Sequence, residues 1–312
     1  MGQENHYAPN RANYCAEPLY GDVAQLTKRS YELTEATKDV EPTIEYYKFN
    51  TQGDCVESKS PYTILCRYEY DYDSAGRILA VRFVDEDGQM SESERITYDS
   101  HGRKIEKIEE SCRKTWTYDS EGNMVKCETY DSDGALCGIT TWTYDSEGRV
   151  VDEVRYSTDK KGVLSLLDRS TYTYNDEGKL HYKRLYNSDN KEVSYFAYRY
   201  DSQGRLICRS LKCIEFSLCD TIFTVDYIPE GKTTRFVDEG IGEEVVCKYD
   251  KSGRMLERID READTSYVRE KQVWTYDDHG NEIASLCYRP DEQSGKLKLY
   301  SRSESEIVYR DR

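Results

Sequence analysis

One phrase recurs along most of this 312-residue chain and constrains its fold more than any other feature: Tyr-Asp-x-x-Gly, followed by a polar or basic residue. Full copies run from Tyr72 to Gly76, Tyr98 to Gly102, Tyr118 to Gly122, Tyr130 to Gly134, Tyr144 to Gly148, Tyr200 to Gly204, Tyr249 to Gly253 and Tyr276 to Gly280. Looser copies stand at Phe49 to Gly53 and Tyr174 to Gly178, with degenerate ones near Tyr186, Tyr227 and Phe236. The phrase has turn chemistry. Asp or Asn at the first turn position accepts hydrogen bonds from the backbone just ahead, and Gly takes the left-handed conformation that closes a hairpin with a bulge. The flanks alternate as strands do: Trp116 and Tyr118 share one face, Thr115 and Thr117 the other. After Gly148, simple alternation places Val150, Val154 and Tyr156 on one face and Glu153 and Arg155 on the opposite one.

The steps Tyr72 to Tyr98, Tyr118 to Tyr144 and Tyr174 to Tyr200 are each 26 residues, which hold two strands and two turns. The second turn is visible as Asp85-Glu86-Asp87-Gly88, Asp131-Ser132-Asp133-Gly134 and Asp159-Lys160-Lys161-Gly162. The fold class expected is all-β: an antiparallel meander of roughly 20 short strands forming a single elongated or curled sheet. The repeat domain is expected over residues 18–312, behind a polar, flexible tail over residues 1–17. Asp22 to Ala36 is the one helix candidate, although Val23, Leu26, Tyr31 and Leu33 fit a strand pair equally well. With 37% apolar and 33% charged residues, a thick two-layer core is out of reach. The 29 tyrosines compensate, since a phenol covers a half-buried sheet face and keeps its hydroxyl wet.

These repeated units resemble the YD repeats of bacterial Rhs proteins, of wall-associated YD-repeat proteins and of the related shell of animal teneurins. The resemblance covers about residues 45 to 312. It implies a continuous spiralling β-sheet, which in long members closes into a hollow shell around a toxic C-terminal domain. This chain is short for such a shell, and only Arg310, Asp311 and Arg312 follow Tyr309, so the resemblance implies a repeat scaffold without its own cargo.

Several function classes can be weighed from composition and motifs. A net charge of -16 repels phosphate backbones and anionic lipid, so neither nucleic acid nor a membrane surface is an expected partner. No apolar run is long enough for a membrane helix or a signal sequence. The cations after the turn glycines (Arg77, Arg103, Arg149, Lys179, Arg205, Arg254) are expected to pair with turn carboxylates such as Asp73, Asp99 and Asp145. Read as a calcium loop from Asp71, the fifth and twelfth positions fall on Ala75 and Arg82, which cannot ligate. Cys208, Cys213 and Cys219 lack the spacing and the histidines of a zinc site. His6, His101, His181 and His279 stand in the tail, at turn tips or at a strand start, and no nucleophile elbow, phosphate loop or zinc-protease motif occurs. The reading is therefore not an enzyme, with no cofactor and no metal. Eleven cysteines form an odd set without a framework, which favours reduced thiols and a cytoplasmic protein, or a secreted or surface one if a signal has been removed.

Two residues before the turn tyrosines stand Tyr70, Trp116, Trp142, Tyr172, Tyr198 and Trp274, on the same face as those tyrosines. This row is either the core of the curled sheet or a ligand face. The sequence reading is a non-catalytic binding or scaffold module that engages a protein partner through a sheet face or a free edge strand. The alternatives are a carbohydrate-binding surface protein using the aromatic row, and an Rhs-like shell fragment associated with an effector.

Overall fold

The computed structural model describes residues 19–33, 41–61, 65–85, 87–159, 161–214, 221–238, 240–263, 265 and 267–310. The tail over residues 1–17, with His6 and Cys15, and Cys219 lie outside these residues. The described residues form 22 strands in one antiparallel sheet, from β1 (Val23–Glu32) to β22 (Leu297–Tyr309), and no helix. The stretch from Asp22 is strand, not helix. Each strand pairs with the next in sequence, and β1 also pairs with β22, from Val23 opposite Tyr309 to Glu32 opposite Ser301.

The meander is therefore a closed barrel. Strand twist accumulates until the first strand meets the last, and closure removes the edges that an open sheet would keep. The expected engagement of a partner through a free edge strand is overturned: among the described strands none has an unpaired edge. With neighbouring strands about 4.8 Å apart, 22 strands give a perimeter of at least ~106 Å and a backbone radius of ~17 Å. The accessible surface is 19846 Å², against about 13,500 Å² for a compact monomer of 36.4 kDa. Most strand residues on both faces are only partly buried, as the polar composition demands.

The turns segregate to two ends. The glycines of the YD turns, Gly76, Gly102, Gly122, Gly148, Gly178, Gly204, Gly253 and Gly280, lie at one end, together with Gly53. The copy at Tyr130 to Gly134 belongs to the opposite end, because it joins β9 (Met124–Asp131) to β10 (Leu136–Tyr144) after the strand has already crossed the sheet. The degenerate copy near Tyr186 also lies there, with Asn190 taking the left-handed role at φ 57°. Near Tyr227 the turn has shrunk, so that Ile228 pairs directly with Gly231. Phe236 sits inside a strand, opposite Phe223 and Val245.

Each YD hairpin carries a β-bulge one residue beyond the turn. Between β10 and β11 (Val150–Thr158), Tyr144 pairs with Val150 and Thr143 with Asp152, leaving Val151 as the extra residue. The same slip recurs where Tyr98 pairs with Lys104 and Thr97 with Glu106, and where Tyr276 pairs with Glu282 and Thr275 with Ala284. The bulge corrects the parity expected after Gly148. Val150 stays on the face of Trp142 and Tyr144, but Glu153 and Arg155 join it there, while Val154 and Tyr156 lie on the opposite face.

Core burial is confined to patches. Leu19, Val23, Leu26, Tyr47, Phe49 and Cys55 pack at the seam with Ile307 and Tyr309. Tyr68, Ile78, Val81 and Ile96 form a second patch across β4 (Cys66–Tyr72), β5 (Ile78–Val84) and β6 (Met90–Tyr98).

Candidate functional site

The YD end is built from a repeating chain of contacts. In the hairpin of β4 and β5, Asp73 Oδ1 accepts from the backbone N–H groups of Ala75 and Arg77 at 2.9 Å, and Arg77 Nε donates to Asp73 Oδ2 at 2.6 Å. The same pairing joins Arg103 to Asp99, Arg149 to Asp145, Arg205 to Asp201 and Arg254 to Asp250, at 2.6 to 2.8 Å. The expected cation–carboxylate pairs are present. Lys179 follows Asn175, which has no charge to offer, and pairs with Glu177 instead. Hydrogen bonds from the backbone and guanidinium of Arg77 hold the Asp73 carboxyl below the usual carboxylate range. Those of Arg149 do the same for Asp145.

These cations have a second partner that the sequence reading missed. Arg77 lies over the ring of Tyr98 in the next YD hairpin at 4.7 Å, Arg103 over Tyr118 at 4.5 Å, Arg149 over Tyr174 at 4.6 Å and Arg205 over Tyr227 at 4.0 Å. The tyrosine hydroxyl meanwhile donates to the carbonyl just after the neighbour's cation. Tyr98 reaches Ile78 O at 3.1 Å, Tyr118 reaches Lys104 O at 2.8 Å and Tyr174 reaches Val150 O at 2.7 Å. Asp, Arg and the following Tyr thus link the tips that carry Arg77, Arg103, Arg149 and Arg205 to their neighbours along this rim, whereas after Gly122 the cation gives way to Asn123, whose amide donates to Asp119. The only sequence signal was the joint recurrence of Gly-Arg and Tyr-Asp one unit apart.

The seam varies this pattern. Asn281 replaces the cation after Gly280, is 1% exposed, and clasps the backbone of Tyr20: its Nδ2 donates to Tyr20 O at 2.8 Å and its Oδ1 accepts from Tyr20 N at 2.6 Å. Asn281 Nδ2 also donates to Tyr309 Oη at 2.6 Å, and that hydroxyl donates to Asp277. Burial, reinforced by the Asp277 carboxylate, pushes the Tyr309 phenol up to about 12. His279 stacks on Tyr309 with ring centres 4.2 Å apart. Arg310 ties Asp22 and the carbonyl of Phe49 across the closure.

All six residues of the aromatic row are half-buried. Where the equivalent position carries a smaller side chain (Ile96, Val225 or Cys247) it is buried at 4 to 7% exposure, so the large rings stand out of the layer that those side chains complete. Tyr70 Oη donates to Cys55 O at 2.7 Å, Lys104 Nζ stands 5.8 Å from the Trp116 ring, and Tyr172 Oη donates to Glu153 at 2.7 Å. Burial raises the phenols of Tyr172 and Tyr198 above their ordinary value, with the Glu153 carboxylate adding to the effect at Tyr172. Trp116, Trp142, Tyr172 and Tyr198 stand on alternate strands, β8 (Cys112–Tyr118), β10, β12 (Leu164–Tyr174) and β14 (Glu192–Tyr200), so the row is continuous there. Trp274, on β20 (Val268–Tyr276), lines a cleft of about 410 Å³ with Ser30, Gln272, Ser285 and Ser303, the last two sharing a hydrogen bond at 2.6 Å.

Among the described residues no group of His, Cys, Asp and Glu is placed to hold a metal ion. Among the described residues nine cysteines stand outside any disulfide, and Cys55, Cys208 and Cys247 of these are buried. His101 sits at an exposed turn tip and His181 lies against Tyr182 at 4.2 Å, each far along the ring from His279.

The teneurin YD-shell family model matches residues 63–290. Among solved structures, the crystal structure of TcdB2-TccC3-Cdc42 is similar at 13% identity with a TM-score of 0.53, covering 92% of this chain and 17% of that one. The crystal structure of TcdB2-TccC3 is similar at 13% identity and the same TM-score of 0.53, covering 90% of this chain and 16% of that one. The chain therefore spans about a sixth of the length of the chains it resembles, and the likeness is one of fold. No curated protein sequence matches it. A family match over most of the chain, on a closed meander whose hairpin tips carry the repeated Tyr-Asp phrase, places this protein in the teneurin YD-shell family.

Proposed function

We propose that this protein is a non-catalytic scaffold, an Rhs-like shell segment that engages a protein partner through one face of its closed sheet. The observation that carries the reading is the half-buried aromatic row, whose large rings stand out of the layer that Ile96, Val225 and Cys247 complete on the same face. Closure leaves the sheet without an edge to extend, so side chains and not backbone are the recognition surface. The structures it resembles are named for several proteins together, TcdB2, TccC3 and Cdc42, which supports a protein partner here. A net charge of -16 argues against nucleic acid. Exposed Thr117, Thr143, Arg199 and Thr275 on the face opposite the row, and Glu153 and Arg155 on its own face, break any lipid-facing apolar band of the kind that membrane barrels carry.

The test is capture from the source organism's lysate and culture medium by wild-type protein and by the triple variant Trp116→Ala, Trp142→Ala, Trp274→Ala. A single stoichiometric protein, lost from a variant that melts like wild type, is the expected result. A protein retained equally by both, or none at all, overturns the reading. The Trp274 cleft supports a second reading, because a tryptophan face beside serine hydroxyls and the Gln272 amide is suited to stack and hydrogen-bond a sugar ring. Glycan binding abolished by Trp274→Ala alone would select it.

A further inference from the structure

The cleft beside Trp274 lies across the joint that closes the barrel. Its floor follows the register: Trp274 pairs with Ser285 on β21 (Glu282–Pro290), Ser285 with Ser303 on β22, and Ser303 with Ser30 on β1. A second line runs beside it from Gln272 through Cys287 to Ser301. These side chains are small where Trp274 is large, which leaves the cleft of about 410 Å³. That volume falls in the range of ~300–1,000 Å³ typical of small-ligand sites. Its polar groups are incompletely engaged. Among the described residues the Trp274 indole N–H and the Ser30 hydroxyl have no hydrogen-bond partner, and Gln272 donates to Glu270 at 2.7 Å, which leaves its amide oxygen to accept.

Building on the sugar reading of this cleft, we infer that its ligand is a neutral oligosaccharide laid across the joint, and that the bound sugar holds the barrel closed. Length follows from the floor: three strand spacings of ~4.8 Å carry it ~14 Å from Trp274 to Ser30, more than one sugar ring covers. Charge follows from the lining. The floor has no ionic side chain, Glu32 and Glu41 beside it repel an acidic sugar, and Arg302 is engaged by Glu304 and by the Tyr31 ring. Hydroxyls and an amide that both donate and accept match a polyol, and the indole face matches the C–H face of a sugar ring. A peptide strand finds no such match, because the backbone of these strands is already paired on both sides. Trp274, Ser285 and Ser303 stand on one side of the β22–β1 joint and Ser30 on the other, so only the closed ring offers all four to one ligand.

Calorimetric titration of the full chain with cellotetraose, chitotetraose, maltotetraose and laminaritetraose, followed by amide hydrogen exchange, tests this. One of the four is expected to bind in the micromolar to millimolar range, and Trp274→Ala to abolish that binding. Ser30→Ala is expected to weaken it about five- to tenfold, the equivalent of one hydrogen bond. With that sugar at about ten times its Kd, exchange across the β1–β22 pairing should slow about 11-fold, since opening must wait for release, while exchange in β10 and β11 across the ring stays as it was. No binding by any of the four, or binding that survives Trp274→Ala, overturns both the sugar reading and the closure it would enforce. Binding that needs Trp274 but is unmoved by Ser30→Ala, or that leaves exchange at the joint unchanged, overturns the inference while the sugar reading stands.

Discussion

Replacing Gly102 by alanine separates two roles that a turn glycine has in this barrel. Its φ of 80° lies in the left-handed region, where an L side chain costs ~1–2 kcal/mol. An added Cβ would also run into Arg77 Nη1, so the guanidinium must leave its place over the Tyr98 ring. Losing that exposed cation–π contact adds ~0.5–1 kcal/mol. Gly134 is the control: its φ is 81°, but nothing lies within 4 Å of its added Cβ, so only the backbone term applies. Urea unfolding with unchanged m-values should therefore show Gly102→Ala costing ~0.5–1 kcal/mol more than Gly134→Ala. In an Arg77→Ala background that excess should vanish, and the double-mutant cycle should report a coupling of the same size. Equal costs at the two glycines, or an excess that survives loss of Arg77, would refute the idea that the cation of one hairpin braces the tip of the next.

The turn carboxylates set an acid limit. Asp73, Asp145 and Asp201 are all held below their ordinary value, chiefly by backbone hydrogen bonds from the cation residue of their own turn. Depressed carboxylates stabilise the fold above the unfolded value of ~3.9, and that contribution is lost as pH falls through the lower folded values. Melting temperature should be flat from neutral pH to about 5 and fall below about 4, and an Asp-to-Asn exchange at all three positions should flatten the fall. Asn281→Ala removes three side-chain hydrogen bonds at a buried position and should cost ~1–3 kcal/mol, with faster amide exchange confined at first to residues 19–23. Alkylation of the denatured protein should label Cys55, Cys208, Cys247 and the other six described cysteines equally with and without prior reduction. A reductant-dependent set would mean that disulfides form.

The meander was legible because its determinants are local. Asp73, Gly76 and Arg77 specify a turn wherever they occur, and the alternation of Trp116 and Tyr118 specifies a strand whatever its partner. Closure was not legible, since β1 and β22 lack the YD phrase and no local pattern in Leu26 or Ile307 announces a partner more than 270 positions away. The bulge at Val151 escaped for a related reason: one unpaired residue changes the facing of Glu153 and Arg155 while leaving the hydrophobic pattern almost as it was. The phrase at Tyr130 shows the limit of motif reading, since the same five residues close a hairpin at either end of the barrel. In the candidate site, the period of the aromatic row was visible from Tyr70 to Trp274. Its half-burial was not, because that depends on side-chain volume relative to neighbours such as Ile96 and Cys247.

Of the 22 strand pairings, 21 join consecutive strands, and only β1 with β22 joins opposite ends of the described chain. Assembly can therefore add one hairpin at a time with little loop-closure entropy, and the long-range pairing comes last. Until it forms, the ribbon has two sticky edges at once, each able to take the other or a strand of a different molecule. The clasp of Asn281 on Tyr20 and the tie of Arg310 to Asp22 and Phe49 hold that final joint, so they decide between a ring that ends its own growth and a ribbon that recruits its neighbours.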